Sequence, residues 1–166
     1  MKTCAYCGTE VNDKYCSFCN MLLTERYILE DGQRLDTSIP HFPEMQGIFK
    51  STAELIQLET LELLCLLRHA REYRSDAYKL RILTHQAKSQ GGNMEGIENS
   101  SYDEYEKATR KVWVIENIIK DRIGYFPQKV TEKFLAMYLE RIEKSTQKRM
   151  HIRKSGPLQK ADKTAF

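Results

Sequence analysis

The stretch CAYCGTEVNDKYCSFCN, residues 4–20, contains two Cys-x-x-Cys pairs with eight residues between them. Each pair can present two thiolates from one tight turn, and the short connector brings the two turns together. Four sulfur atoms then surround one tetrahedral ion at about 2.3 Å. We therefore predict a single structural Zn2+ ion with Cys4, Cys7, Cys16 and Cys19 as ligands. Because four thiolates leave no open coordination position, this metal is not expected to activate water or a substrate.

The residues around the two pairs favour sharp, metal-bound turns. Gly8 and Asn20 follow the second cysteine of each pair, and both residue types tolerate the positive φ that a reversal requires. The connector at 10–15 predicts a short strand, a polar turn at Asn12-Asp13 and a return strand. Such a short segment has too few residues to form a sizeable hydrophobic core. Zinc binding, which contributes roughly 10–16 kcal/mol at small structural sites, would therefore supply the folding energy.

The same stretch resembles the short zinc-ribbon module found at the N-terminus of many bacterial proteins. The resemblance covers residues 1–22 and rests on the cysteine pairs, on Val11 as a strand residue and on Tyr15 before the second pair. Asn20 departs from the glycine that is common at its position in the family. The resemblance implies a metal-stabilised module for nucleic-acid or protein contact, and it does not choose between these two.

Two other roles for the four cysteines agree less well with the sequence. Disulfide bonds require an oxidising compartment, and no apolar signal segment precedes Cys4. A thiol–disulfide redox motif usually lies at a helix start in a strand–helix–strand unit, which this stretch does not indicate. We therefore expect a cytoplasmic protein with reduced, metal-bound cysteines. Cys65 lies in a leucine-rich run and is expected to pack in a core.

Composition favours a mostly α fold. The chain has 166 residues, of which 41% are hydrophobic and 30% charged, and these values suit one domain of moderate size with a small appendage. The richest apolar run, Leu55–Leu67, is interrupted by Glu59 and Glu62 and is too short to cross a bilayer. We therefore expect no membrane association.

Three helices are expected after the ribbon. A long first helix would begin at the capping box Ser51–Glu54 and continue to about Lys88. A second would begin at Ser101 and end at a Gly124 cap, and a third would begin at Pro127. Their apolar faces predict a three-helix bundle-like domain.

The predicted organisation has four parts: a zinc ribbon at 1–22, a hairpin and linker at 23–43, a helical domain at 44–146 with a flexible glycine-rich loop near 89–100, and a basic, disordered tail at 147–166. His41 falls in the linker. Because four thiolates already saturate the metal, this residue is expected to be a solvated loop histidine.

Positive charge is concentrated at the C-terminal end. Residues 141–166 contain eight Lys or Arg and two acidic residues, a net +6, whereas the whole chain carries +3, which leaves −3 for residues 1–140. The most compact cationic stretch contains the candidate nucleic-acid-binding residues Lys148, Arg149, Arg153 and Lys154. The alternative is a solvated basic tail without a ligand.

Catalysis is not expected. The four histidines are scattered, and the chain contains no nucleophile elbow, no Walker-type glycine loop and no metalloprotease histidine pair. An enzyme is therefore the least favoured class.

Two non-enzymatic classes remain. The first is a zinc-binding regulatory or accessory protein, such as a transcription regulator, that contacts DNA or RNA through the ribbon and the basic segment. In that class the helical domain would form a homodimer or a partner surface. The second is a protein-interaction adaptor whose ribbon docks on a partner protein through aromatic residues such as Tyr6, Phe18 and Tyr27.

Overall fold

The computed structural model describes residues 1–36, 42–93 and 95–152. These residues belong to two compact units. The ribbon unit comprises residues 1–36 with 142–152, and the helical unit comprises residues 42–93 with 95–141. His41, Arg153 and Lys154 lie outside the described residues, so the predictions for them stay predictions. The prediction of a mostly α protein with a small N-terminal strand region is confirmed.

The ribbon unit contains four short strands: β1 (Lys2–Cys4), β2 (Tyr15–Cys16), β3 (Met21–Leu22) and β4 (Ile28–Glu30). Strand β1 pairs antiparallel with β4, and β2 pairs antiparallel with β3. Thr3 is buried on β1, where its hydroxyl donates to the Leu29 carbonyl at 3.0 Å and accepts from the Gly32 amide at 3.0 Å. The first strand of this unit, β1, is therefore held by the last one, β4.

The predicted hairpin within residues 23–43 is wrong. Strand β4 pairs with β1, and residues 33–36 form no strand. Asp31 and Gly32 do form a turn, with φ values of +48° and +67°. The chain that leaves this turn does not return along β4, and the partner of β4 is instead a strand 26 residues earlier in the sequence. The ribbon unit accordingly extends beyond residue 22.

The helical unit contains α1 (Thr52–Gln57), α2 (Thr60–Ser89), α3 (Glu95–Ile123) and the first part of α4 (Glu132–Thr146), preceded by a 3-10 turn at Met45–Phe49. At the start of α1, the predicted capping box is confirmed. The Glu54 amide donates to the Ser51 hydroxyl at 3.3 Å, and the Ser51 amide donates to the Glu54 carboxylate at 2.8 Å.

The predicted long first helix, whose continuity the sequence left open, is divided in two, because the chain leaves the helical conformation between α1 and α2. The Glu59 amide donates to the Glu62 carboxylate at 2.8 Å and starts α2. The guanidinium of Arg122, on α3, donates to the carbonyls of Ile56 and Leu58 at 2.5 and 2.6 Å. These carbonyls are satisfied by a distant side chain, which allows the helix to end there.

The predicted start of the second helix is also wrong. Ser101 lies inside α3, not at its end, and is buried against α2, where its hydroxyl lies 2.8 Å from that of Thr84. Because α3 already includes Glu95, the connector after α2 is much shorter than the loop predicted near 89–100. The predicted cap at Gly124 is confirmed, with φ at +84° and an amide that donates to the Lys120 carbonyl at 2.8 Å.

The third predicted helix begins later than Pro127. Helix α4 begins at Glu132, and the Phe134 amide donates to the Thr131 hydroxyl at 3.1 Å. The Arg71 guanidinium donates to the carbonyls of Pro127 and Gln128, each at 2.9 Å. These two tertiary hydrogen bonds hold Pro127 and Gln128 in a non-helical conformation.

The core of the helical unit is built mainly from leucine and isoleucine. The residues of this unit that are at most 1% exposed and apolar are Ile48, Leu55, Leu61, Leu63, Leu64, Leu66, Leu67, Ala70, Ala108, Val112, Ile115 and Ile119. Cys65 is buried among them at 4% exposure, as predicted, and burial raises its pKa to about 11. Among the described residues, no helix is both long enough and apolar enough to cross a membrane.

Candidate metal centre

Two reverse turns bring the four N-terminal cysteines together. Gly8 has φ at +73° and Asn20 has φ at +53°, so the predicted left-handed conformation is confirmed at both positions. In the first turn the Gly8 amide donates to the Cys4 carbonyl at 2.8 Å, and in the second the Cys19 amide donates to Cys16 Sγ at 3.4 Å. Each pair therefore points two sulfur atoms to the same side of its turn.

The four sulfur atoms form one cluster in which all lie within 4.8 Å of one another. Cys4 Sγ lies 3.9 Å from Cys19 Sγ, and Cys7 Sγ lies 3.5 Å from Cys16 Sγ. A tetrahedral ion with metal–sulfur distances of about 2.3 Å requires sulfur–sulfur distances of about 3.8 Å. All five cysteines are free thiols. The donor set therefore fits a metal ion bound by four thiolates.

The electrostatics of the cluster favour a bound cation. Burial acts to raise the pKa of Cys7, but hydrogen bonds with Thr9, Cys16 and Cys19 together outweigh it and lower that pKa to about 6. The hydrogen bond with Cys7, followed by burial, raises the pKa of Cys19 to about 12. Adjacent thiolates repel one another, so the ionisation of one thiol opposes that of the next. A divalent cation removes this conflict.

Two of the four clustered cysteines also make up half of the buried apolar core of the ribbon unit. Cys4 and Cys16 are 1% and 0% exposed, and they pack with Val11 and Leu23. The sequence indicated Val11 as a strand residue, but it did not indicate Leu23. Leu23 directly follows β3, and its amide donates to the Lys14 carbonyl at 2.7 Å. The same cysteines thus contribute sulfur atoms to the cluster and side chains to the core.

Two of the four candidate nucleic-acid-binding residues lie in the ribbon unit. The Lys148 carbonyl accepts from Arg34 Nε at 2.8 Å, and the amide of Met150, just after Arg149, donates to the Gly32 carbonyl at 2.8 Å. Residues 148–150 therefore bind the ribbon, where the sequence predicted a disordered tail from residue 147. The local sequence contains no signal for this contact, because Arg34 and Lys148 are 114 residues apart.

The charges of the two parts of this unit are opposite. Residues 1–36 contain four basic and six acidic side chains, a net −2, whereas residues 142–152 contain three basic and one acidic, a net +2. Asp31 illustrates the attraction. Its pKa is lowered mainly by the hydrogen bond from the Met1 amino group, and the positive charge of Arg149 lowers it further. Among the described residues of the unit, the net positive charge therefore lies in its C-terminal segment.

Aromatic and apolar side chains remain exposed on the ribbon. Phe18, between the two cysteines of the second pair, is 77% exposed, and Leu22 on β3 is 74% exposed. Tyr6 stacks on Tyr27 with ring centroids 5.1 Å apart, and the guanidinium of Arg26 lies 5.8 Å from the Tyr27 ring centre. Of the three aromatic residues that the sequence suggested as contacts, Tyr6 and Tyr27 therefore stack on each other, and Phe18 is the most exposed.

The chain matches no protein-family model, and neither the curated proteins nor the solved structures contain a match to it. The likeness to a zinc ribbon therefore rests on the cysteine pairs, their turns and the sulfur cluster alone.

Proposed function

We propose that this protein is a non-enzymatic, zinc-binding regulatory or accessory protein that contacts nucleic acid through a basic segment supported by its ribbon. The observation that carries the proposal is the pair of hydrogen bonds that join Lys148 and Met150 to the ribbon, one from the Arg34 side chain to the Lys148 carbonyl and one from the Met150 amide to the Gly32 carbonyl. A cationic stretch attached to a folded module presents its charges at a defined place. This arrangement costs less ordering entropy on binding than a free tail does.

Zinc is the metal that suits the four thiolates best. Soft sulfur ligands in a tetrahedral set select zinc or iron, and a closed four-cysteine site is typical of structural zinc. A filled coordination shell supports the non-enzymatic part of the proposal, because no ligand position remains for a reacting group. Metal analysis of the purified protein tests this directly. We expect one zinc per chain, and one iron per chain would contradict the assignment.

The nucleic-acid part of the proposal assigns different tasks to the two parts of the ribbon unit. Residues 1–36 carry a net charge of −2, which opposes direct contact with phosphates. The cations come from Lys148 and Arg149, and Arg153 and Lys154 follow closely in sequence. The ribbon then serves to support these cationic residues and does not itself contact the phosphates. Such contacts depend on salt and carry little sequence preference.

Binding to labelled duplex DNA and single-stranded RNA at two salt concentrations tests this proposal. Substitution of glutamine at all four of Lys148, Arg149, Arg153 and Lys154 should weaken binding to every sequence. For duplex DNA, the slope of log affinity against log salt should become shallower by about 0.9 for each phosphate that the variant no longer neutralises.

A matched control removes four exposed cations from the helical unit, with glutamine at Lys107, Lys120, Lys129 and Lys133. The control should retain the affinity and the salt dependence of the natural protein. Equal losses in the two variants would mean that net charge alone drives binding, and no binding by the natural protein would eliminate the nucleic-acid proposal.

A protein-interaction adaptor is the second candidate, and the exposure of Phe18 and Leu22 favours it. Serine at both positions should abolish recovery of a partner that copurifies with the natural protein. The control is Leu83→Ser, because Leu83 is 61% exposed in the helical unit. If the control loses the same partner, the exposed ribbon residues are not the contact.

A further inference from the structure

Met150 lies in a cradle formed by two glycines of the ribbon. A Cβ placed on Gly8 would lie 3.0 Å from Met150 Cβ and still closer to its Cγ. A Cβ placed on Gly32 would lie 3.0 Å from the Met150 carbonyl oxygen and 3.4 Å from its Cβ. Any larger residue at Gly8 would therefore displace the methionine side chain.

Positive φ alone does not account for this arrangement. Gly8, Gly32 and Gly91 have φ values of +73°, +67° and +89°, yet nothing lies within 4 Å of a Cβ placed on Gly91. The two ribbon glycines thus meet a second requirement, which is close approach of another chain segment. Gly91 offers a comparison in which the backbone strain of a substitution is present without the collision.

The cradle is also part of the metal centre. Gly8 directly follows the ligand Cys7, and its amide hydrogen bond to Cys4 shapes the first cysteine turn. A cleft of about 140 Å3 lies between this turn at residues 4–8, the turn at residues 32–34 and Met150. The methionine therefore contacts the backbone that positions two of the four sulfur atoms.

Charge adds to the attraction between the segment and the metal-bound ribbon. Arg149 is close enough to Asp31 to lower the pKa of that carboxyl, although the Met1 amino group is the larger cause. One divalent ion with four thiolates carries a net charge of −2, which makes the ribbon more acidic than its side chains alone. The cationic segment is consequently attracted more strongly to the loaded ribbon.

We infer that residues 148–150 form a latch on the metal centre, and that latch closure and metal binding are coupled. The latch requires the Gly8 turn that the metal organises, and it in turn opposes opening of that turn. Coupling between two such events is reciprocal. Metal loss therefore releases the basic segment, and an opened latch weakens metal binding. This inference does not depend on nucleic-acid contact, so failure of the proposed function leaves it standing.

Competition with a chromophoric zinc chelator tests the coupling in the full-length protein. Met150→Ala should lower zinc affinity by about 5-fold or more, the lower end of ordinary coupling between sites. Met150→Leu, which keeps an apolar side chain of similar volume, should restore most of that affinity. The control is Met137→Ala, because Met137 and Met150 are 45% and 44% exposed and Met137 lies in the helical unit.

Trypsin cleavage after Lys148 and Arg149, followed by mass spectrometry, reports the latch itself. In the zinc-loaded protein, Met150→Ala and Gly8→Ala should cleave at these sites several-fold faster than the natural chain. Gly91→Ala, which has comparable backbone strain without a collision, should match the natural chain. Unchanged zinc affinity in Met150→Ala, or equal cleavage rates in all the loaded proteins, would overturn the inference.

Discussion

The ribbon unit and the helical unit are stabilised by different means. In the ribbon unit, the buried apolar cluster consists of Val11 and Leu23 beside two cysteines of the sulfur cluster, Cys4 and Cys16. In the helical unit, leucines and isoleucines such as Leu66 and Ile115 are fully buried. Each fully buried leucine contributes about 2 kcal/mol of hydrophobic stabilisation.

This difference predicts how the stability of each unit responds to a single substitution. The stability of the helical unit is spread over many side chains, so loss of one is expected to weaken the unit without unfolding it. Under the proposed zinc binding, the ribbon unit depends on one ion, so loss of a single ligand should remove most of the energy that orders it. The following changes test that contrast.

The largest effect is expected from Cys16→Ser. This change replaces a fully buried ligand, so the ion should be lost together with binding energy on the order of 10 kcal/mol. We expect no bound zinc and loss of strand signals from residues 1–36, with helical circular dichroism largely retained. Cys65→Ser, which alters a cysteine outside the cluster, is the control for metal content. Full zinc occupancy in Cys16→Ser would show that the cluster does not bind the ion.

Leu66→Ala should have the opposite outcome. Leu66 is fully buried on α2 and lies close to Gly47, so the truncation should lower the free energy of unfolding of the helical unit by about 2–5 kcal/mol. Urea denaturation followed by circular dichroism of the helices measures this loss. Leu80→Ala, at a position 48% exposed on the same helix, should change stability far less. Zinc content should stay at the level of the natural protein, and its loss would contradict independent stabilisation of the units.

Arg71→Met should reduce the stability of the helical unit by about 2 kcal/mol, because charge-assisted hydrogen bonds are lost and their acceptors stay poorly solvated. Arg71 donates to Glu116 at 2.7 Å and to the carbonyls of Pro127 and Gln128. A double-mutant cycle with Glu116→Gln separates the ion pair from the carbonyl contacts. Additive losses would mean that the pair itself contributes no coupling energy.

The smallest effect is expected from Ser51→Ala, which removes the hydroxyl that caps α1. Loss of such a cap costs about 1 kcal/mol, and the change should appear in the urea midpoint of the helical unit alone. Ser51→Asp, which keeps a capping oxygen, should recover the midpoint. A cap that proves worth several kcal/mol would mean that the break before α2 controls the stability of the whole unit.

The candidate site was predictable where its signal is local. The cysteine spacing identified all four residues of the sulfur cluster, and the residue types at Gly8 and Asn20 identified the left-handed turns. The contact of residues 148–150 with the ribbon was not predictable, since it joins positions more than a hundred residues apart and three of the four bonding groups are backbone groups, while the fourth is the side chain of Arg34. The same limit explains the missed pairing of β1 with β4.

The helices show the same division. The sequence by itself determined that most of the chain is helical, where the first cap lies and that Gly124 ends α3, because capping and glycine conformation act over a few residues. Tertiary structure decided where helices stop and start. Arg122 satisfies the carbonyls at the end of α1, and Arg71 holds those of Pro127 and Gln128 before α4. A long side chain from a distant helix can satisfy orphan carbonyls, and no local pattern records where it will reach.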